Sequence, residues 1–438
     1  MRIQRRKGLT WILCTLLLAA LLASCGVQQP KAPTAEKKSE QAQSEKIDSE
    51  EVTINFWHHY SAQSAENETL MNVLIPKFEA ENPGIRVNAV SHEWADLHDK
   101  ILISAKSDTL PDVARLDSAW VPEFQKTGIL VALNKEIEDY ASAADKLLAS
   151  AMSTAQIGGD YYGLALNTNT KILFYNVKAL EQAGIEVPKT MNEFVKACES
   201  LSGMNESGQQ IWGYDEPGLS GWNLCPFIWS MGGALTNPEQ TKASGYLNGE
   251  NTVKAIQMLA DLHAKGAITG WNSGDIPMTD GFGTGRYIML LEGPWKVAEL
   301  AGAYPELEYK VAAVPAGEGG SVSVLGGEDI AMFRGAHKEA AWKFMTFMTG
   351  ELAQEEMAKC GQIPCNKQAL ESDTVKKADF APYIEQLKTA KARPTVAAWS
   401  EIDAELSTAI TEVFNGEKTA QAAMDELAAK VDQLLAEE

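Results

Sequence analysis

From residue 52 to residue 438 the chain switches repeatedly between two hydrophobic periods, and that switching limits the folds open to it. EVTINFW and GIRVNAV alternate apolar and polar residues as half-buried strands do, and the segment between them, around Leu70 to Glu81, has helical spacing. LPDVARLD and TKILFYNV return to the strand pattern. After Pro188, the run Thr190-Met191-Asn192-Glu193 is a capping box, with a hydroxyl at the N-cap and a carboxylate three residues on. Gly184 and Gly266 stand where the helices KALEQAG and IQMLADLHAKG should stop. Alternating units of this kind predict an α/β protein with largely parallel sheets, whose ligands sit beyond the carboxyl ends of the strands. A folded part of about 390 residues predicts two lobes more readily than one core. The last third is mostly helical, and its Trp342, Phe344, Met345, Phe347, Met348 set has the spacing of a buried helix face rather than a cofactor site.

The N-terminus addresses the compartment. Arg2, Arg5, Arg6 and Lys7 precede an apolar stretch from Leu9 to about Ala23, which is shorter than a bilayer span and flanked as a signal peptide is. It closes on Leu22-Ala23-Ser24-Cys25-Gly26, which resembles a bacterial lipobox. That resemblance implies a signal peptide over 1–24, cleavage before Cys25 and lipid on its sulfur. Residues 25–50 lack large apolar side chains between Gln28 and Lys46 and read as a disordered tether. The expected location is the bacterial cell surface, on the outer face of the cytoplasmic membrane, held by the lipid anchor alone.

The formal charge of −21 becomes −25 once the four basic residues of the leader are removed. Such a balance argues against nucleic acid and against a membrane-hugging face, and suits a self-repelling, monomeric body with a neutral or cationic ligand. Four cysteines remain in the body, Cys198, Cys225, Cys360 and Cys365. They allow three full pairings, and CGQIPC brings one pair near in sequence without requiring a bridge.

Tests for chemistry fail. HEWADLH superficially resembles a zinc-protease motif, but His92 and His98 are six apart, or about 240° around a helix. His58 and His59 on one strand point to opposite faces. No G-x-S-x-G elbow exists, and GFGTGRY lacks the context of a phosphate loop. We therefore expect no metal, no cofactor and no catalytic residues. What stands out is tryptophan among polar and turn residues: Trp57 at the end of the opening strand, Trp222 in LSGWNLCPF, Trp295 in LEGPWK and Trp399 in PTVAAWSEI. Flat aromatic faces pack on sugar rings while neighbouring amides and carboxylates bond hydroxyls, so the four together point to a cleft.

Segments in order across 52–438 resemble the extracellular solute-binding proteins of ABC importers, in the branch that includes maltose-binding protein: VTINFWHHY, KFEAENPGIRV, LPDVARLDSAWVPEFQKTGIL, YYGLALNTNTKILFYNVKALEQAGIEVPKTMNEF, FIWSMGGAL, GRYIMLLEGPWKV, GGEDIAMF, GQIPCNK and ARPTVAAW. The resemblance implies a type II periplasmic-binding-protein-like fold, with 52–168 and 328–378 forming the N-terminal lobe and 169–327 and 379–438 the C-terminal lobe. It implies a solute held between the lobes by hinge closure and delivered to the transmembrane subunits of a permease. Carried over by position, Trp57, His59 and Tyr60 follow the first strand, Asp117 and Trp120 the third segment, and Asn169 precedes the FYN segment where the family often has an acid. Trp222 and Trp295 take stacking positions. Gly327 and Glu328 lie where the chain passes between lobes, and Arg393 and Trp399 complete the set.

The expected solute is a sugar or oligosaccharide. Relatives that bind a phosphorylated polyol such as glycerol 3-phosphate also begin F-W-H, and a surface-anchored enzyme acting on saccharides is the other alternative. An anion needs a cationic pocket, and of the candidates only Arg393 is cationic, against Asp117, Glu328 and Asp329.

Overall fold

The computed structural model describes residues 51–438. The signal peptide, Cys25 and the tether lie outside the described residues. Two sheets organise the rest. In chain order their strands are β1 (Val52–His58), β2 (Ile85–Ser91), β3 (Val113–Asp117), β4 (Leu164–Thr170), β5 (Ile172–Asn176), β6 (Gly203–Met204), β7 (Gln210–Asp215), β8 (Ile268–Thr269), β9 (Tyr287–Glu292), β10 (Tyr309–Ala312), β11 (Val324–Met332), β12 (Ile363–Pro364) and β13 (Lys391–Ala392). The first sheet runs β12-β4-β11-β3-β1-β2 with β13 against β11, and the second runs β8-β7-β9-β5-β10 with β6 beside β7.

The sheets are mixed rather than largely parallel. β1 pairs in parallel with β2 and β3, and β7 with β8 and β9, but β4, β5, β6, β10 and β12 pair antiparallel. The cause is the passage between lobes. β4 carries the chain out of the first sheet, with Lys171 alone separating it from β5 in the second, and β11 brings it back. An outgoing and a returning strand lying side by side must run in opposite directions. Both stay in the first sheet over their full length, so the change-over falls at Lys171 and between Ala312 and Val324, a few residues from the positions expected. β13 gives a third link, after which the helices Trp399–Phe414 and Ala420–Leu435 pack into the core of the second lobe.

Local signals act as physical chemistry requires. Thr190 and Glu193 form the reciprocal capping box of helix Met191–Leu201. Gly184, at φ +66°, ends Val177–Ala183 in the left-handed region. The helix expected near Leu70–Glu81 is a π segment, Leu70–Leu74, followed by Ile75–Glu81. Pro76 has no N–H for the carbonyl four residues back, which favours the wider turn. Phe344, Met345 and Met348 of helix Lys338–Met348 are buried against Ile54, Phe56 and Phe78, as a core face should be. The four body cysteines are buried free thiols.

Candidate functional site

The floor of the cleft is built where β3, β4 and β11 lie together. With a period of two, Arg115 and Asp117 share one face of β3, and register sets Glu328 of β11 beside Asp117. Arg115 pairs with Glu328 at 3.0 Å, donates to the His59 ring at 2.8 Å and stands 4.2 Å over the Tyr60 ring. Asn167 donates to the same Glu328 oxygen at 2.5 Å, and Asn169 at 3.5 Å. Asp117 accepts from Arg393 at 2.7 Å, from the Trp94 indole at 3.2 Å and from the backbone N–H of Ala119 at 2.9 Å. The buried Asp117 and the mostly buried Glu328 thus face two buried guanidiniums, which is the condition for keeping charges out of water. Burial raises the Glu328 carboxyl while Arg115 opposes the rise. Burial and Arg115 together hold His59 well below its usual value, so it is neutral at pH 7.

The opposite wall comes from the second lobe. Trp222 lies in the first turn of helix Gly221–Ser230, and Trp295 opens helix Trp295–Ala303 after the Gly293-Pro294 turn. Their rings are 6.3 Å apart at 27°, and Arg393 stands 5.5 Å over Trp222. Gly326 lets floor and wall meet, since a Cβ there would fall 2.1 Å from Asn169 Oδ1 and 2.5 Å from the Trp222 ring. Between them lies a cavity of about 350 Å³.

Of the residues expected from sequence, His59, Tyr60, Asp117, Asn169, Trp222, Trp295, Gly327, Glu328 and Arg393 line this cavity. Trp57, Trp120 and Trp399 do not. Trp57 meets the His92 ring edge-on at 5.2 Å within an apolar cluster. Trp120 is buried against Trp94, His98 and Phe124, 5.7 Å from His59. Trp399 is buried beneath Gly221, in the core of the second lobe. In each case a polar sequence context surrounds a ring that the packed helices cover. His58 is buried on the other side of β1 with its pKa lowered to about 3, chiefly by burial.

The lining also includes Ser61, Ser64, Glu66, Trp94, Arg115, Ser220, Glu299, Gly326 and Gln362, which sequence reasoning did not single out. Arg115 was within reach: it is two residues from Asp117 on a strand, and hence on the same face. Glu66 and Gln362 meet across 296 residues, with the Gln362 amide donating at 3.1 Å, and no local pattern foretells that.

Two α/β lobes linked by crossing strands, with a polar floor in one and tryptophans from the other, define a solute-binding protein. The chain belongs to the bacterial extracellular solute-binding proteins, whose family pattern matches residues 74–382. It is 27% identical over 375 residues to a putative binding protein of Brucella abortus, covering 82% of this chain and 88% of that one. It is 24% identical to the sn-glycerol-3-phosphate-binding periplasmic protein of Pectobacterium atrosepticum, over 73% of this chain and 74% of that one. The fold superposes on the GacH receptor of Streptomyces glaucescens, solved unliganded and with acarbose, with a TM-score of 0.78, 24% identity and coverage of 88% and 98%.

Proposed function

We propose that the chain is the substrate-binding lipoprotein of an ABC importer and that its solute is an uncharged sugar or oligosaccharide. One observation carries the choice of solute: the buried polar atoms left without a partner at the floor are mostly acceptors. Asn169 turns its N–H group to Glu328 and Gln362 turns its own to Glu66, so among the described residues both of these amide oxygens in the lining lack a donor. Arg115 Nε is the unmatched donor. A hydroxyl-rich ring supplies donors to the oxygens and an acceptor to the guanidinium. A phosphate group supplies only acceptors and two negative charges, and the charges of the two floor guanidiniums are already balanced by Glu328 and Asp117. The tryptophan pair offers apolar faces for the ring.

Hinge closure follows from the two-lobe construction, because a ligand bridging floor and tryptophans favours the shut state by its extra contacts there. The anchoring at Cys25 rests on the lipobox-like sequence, and the role as a receptor without turnover rests on the family. A thermal-shift screen of the protein across mono- and oligosaccharides tests the reading. A ligand at 100 times its Kd raises stability by about 2.7 kcal/mol. Stabilisation by glycerol 3-phosphate and by no saccharide would select the alternative, and release of reducing sugar by the pure protein would select the enzyme. A mature chain whose Cys25 carries no lipid by mass spectrometry would count against the anchor.

A further inference from the structure

The size and layering of the cavity carry a sharper statement about the ligand, resting on the saccharide reading above. An apolar cavity of about 150 Å³ holds benzene, or about 25 Å³ for each non-hydrogen atom. At that density the 350 Å³ between the lobes holds about fourteen such atoms. A hexose has about twelve and a disaccharide about twenty-three, so one ring fits and two do not. The lining is graded in the same way. Tyr60, Arg115, Asp117, Asn169 and Arg393 form a floor in which each residue is at least nine-tenths buried. Ser61, Trp94 and Glu299 form an exposed rim, with Trp94 42% exposed. The unmatched amide oxygens of Asn169 and Gln362 and the unmatched Arg115 Nε all belong to buried lining residues.

We infer that this protein recognises a single sugar ring, enclosed between the floor and the Trp222–Trp295 wall, and that any further units extend past the rim and add little affinity. Desolvated contacts set specificity where unmatched groups are buried, whereas contacts at an exposed rim compete with water. The ring is a free monosaccharide or the end unit of a short chain, and chain length separates these poorly in affinity.

Calorimetric titration of the full-length protein tests this with the mono-, di- and trisaccharides of five series: α-1,4-gluco, β-1,4-gluco, β-1,4-xylo, α-1,5-arabino and β-1,4-linked N-acetylglucosamine. In the series that binds, the monosaccharide should fall within tenfold of the disaccharide, and the trisaccharide should match the disaccharide. Affinity climbing tenfold or more with each added unit would overturn the single-ring inference while leaving the saccharide reading intact. Binding of none of the five series would remove the saccharide reading, and this inference with it.

Discussion

The cleft floor and the end of β7 bury acidic groups in opposite ways. In the first, Asp117 and Glu328 each face a guanidinium, Arg393 at 2.7 Å and Arg115 at 3.0 Å. In the second, Asp215 and Glu216 at the end of β7 are buried with both Asp215 oxygens and one Glu216 oxygen lacking a hydrogen-bond partner among the described residues. Lys171, at the crossover, is the cation that pulls both their pKa values down, while its own Nζ donates to Asn223. Burial outweighs that pull and pushes Asp215 up to about 8 and Glu216 to about 7. The first arrangement holds charge rigidly at a ligand surface, and the second holds protons behind it. Burial raises carboxyl pKa values in both places, and at Glu328 the Arg115 guanidinium in contact opposes the rise.

Breaking a floor pair should have the largest effect. Arg115→Met leaves the mostly buried Glu328 without its cation, and should cost about 3 kcal/mol in denaturant unfolding. Arg393→Met should act similarly through Asp117. A loss below about 1 kcal/mol in both would mean that the floor does not depend on its pairs.

The acid cluster should answer to pH. Because the folded state raises the Asp215 and Glu216 pKa values, it binds protons more tightly than the unfolded chain does. Their contribution is complete below about pH 4 and is lost as the pH rises through about 7 and 8. Each group contributes a slope of up to about 1.4 kcal/mol per pH unit within that window. Asp215→Asn should flatten the fall in stability between pH 6 and pH 8 in thermal unfolding. An unchanged slope would show that Asp215 does not titrate there.

Trp222→Ala and Trp295→Ala should each weaken saccharide binding at least tenfold, about 1.4 kcal/mol, with the unfolding midpoint retained. Unchanged affinity in both variants would misplace the second-lobe wall. The smallest change is expected from His59→Gln. His59 is neutral and accepts from Arg115, a role that an amide oxygen can take over, so affinity should stay within about threefold at pH 7. A larger loss would make the ring itself a ligand contact.

Alternation and caps made much of the architecture legible: β1, β2, β3 and β5, the capping box at Thr190 and the stop at Gly184 all follow from local periods and turn chemistry. The candidate site was legible in part. Trp222 and Trp295 stand at the starts of helices beside the cleft, where their Gly- and Pro-flanked contexts suggested exposed positions. Trp399 had a comparable context, yet helix Trp399–Phe414 turns it into the core. Antiparallel pairing of β4 with β11 escaped prediction because strand direction depends on where the chain returns, and nothing within either strand encodes that.

The sequence by itself determined that the chain alternates strand and helix, that it forms more than one lobe, and that aromatic and amide groups cluster near loops. These depend on neighbours within a few turns, where side-chain period and backbone propensity act directly. Only the tertiary structure decided that Asp117 pairs with Arg393 across 276 residues, that Asn167 and Glu328 share a hydrogen bond across 161, and that Asp215 has no hydrogen-bond partner among the described residues. Burial raises the energetic stakes of each polar group, and burial exists only once distant segments have packed.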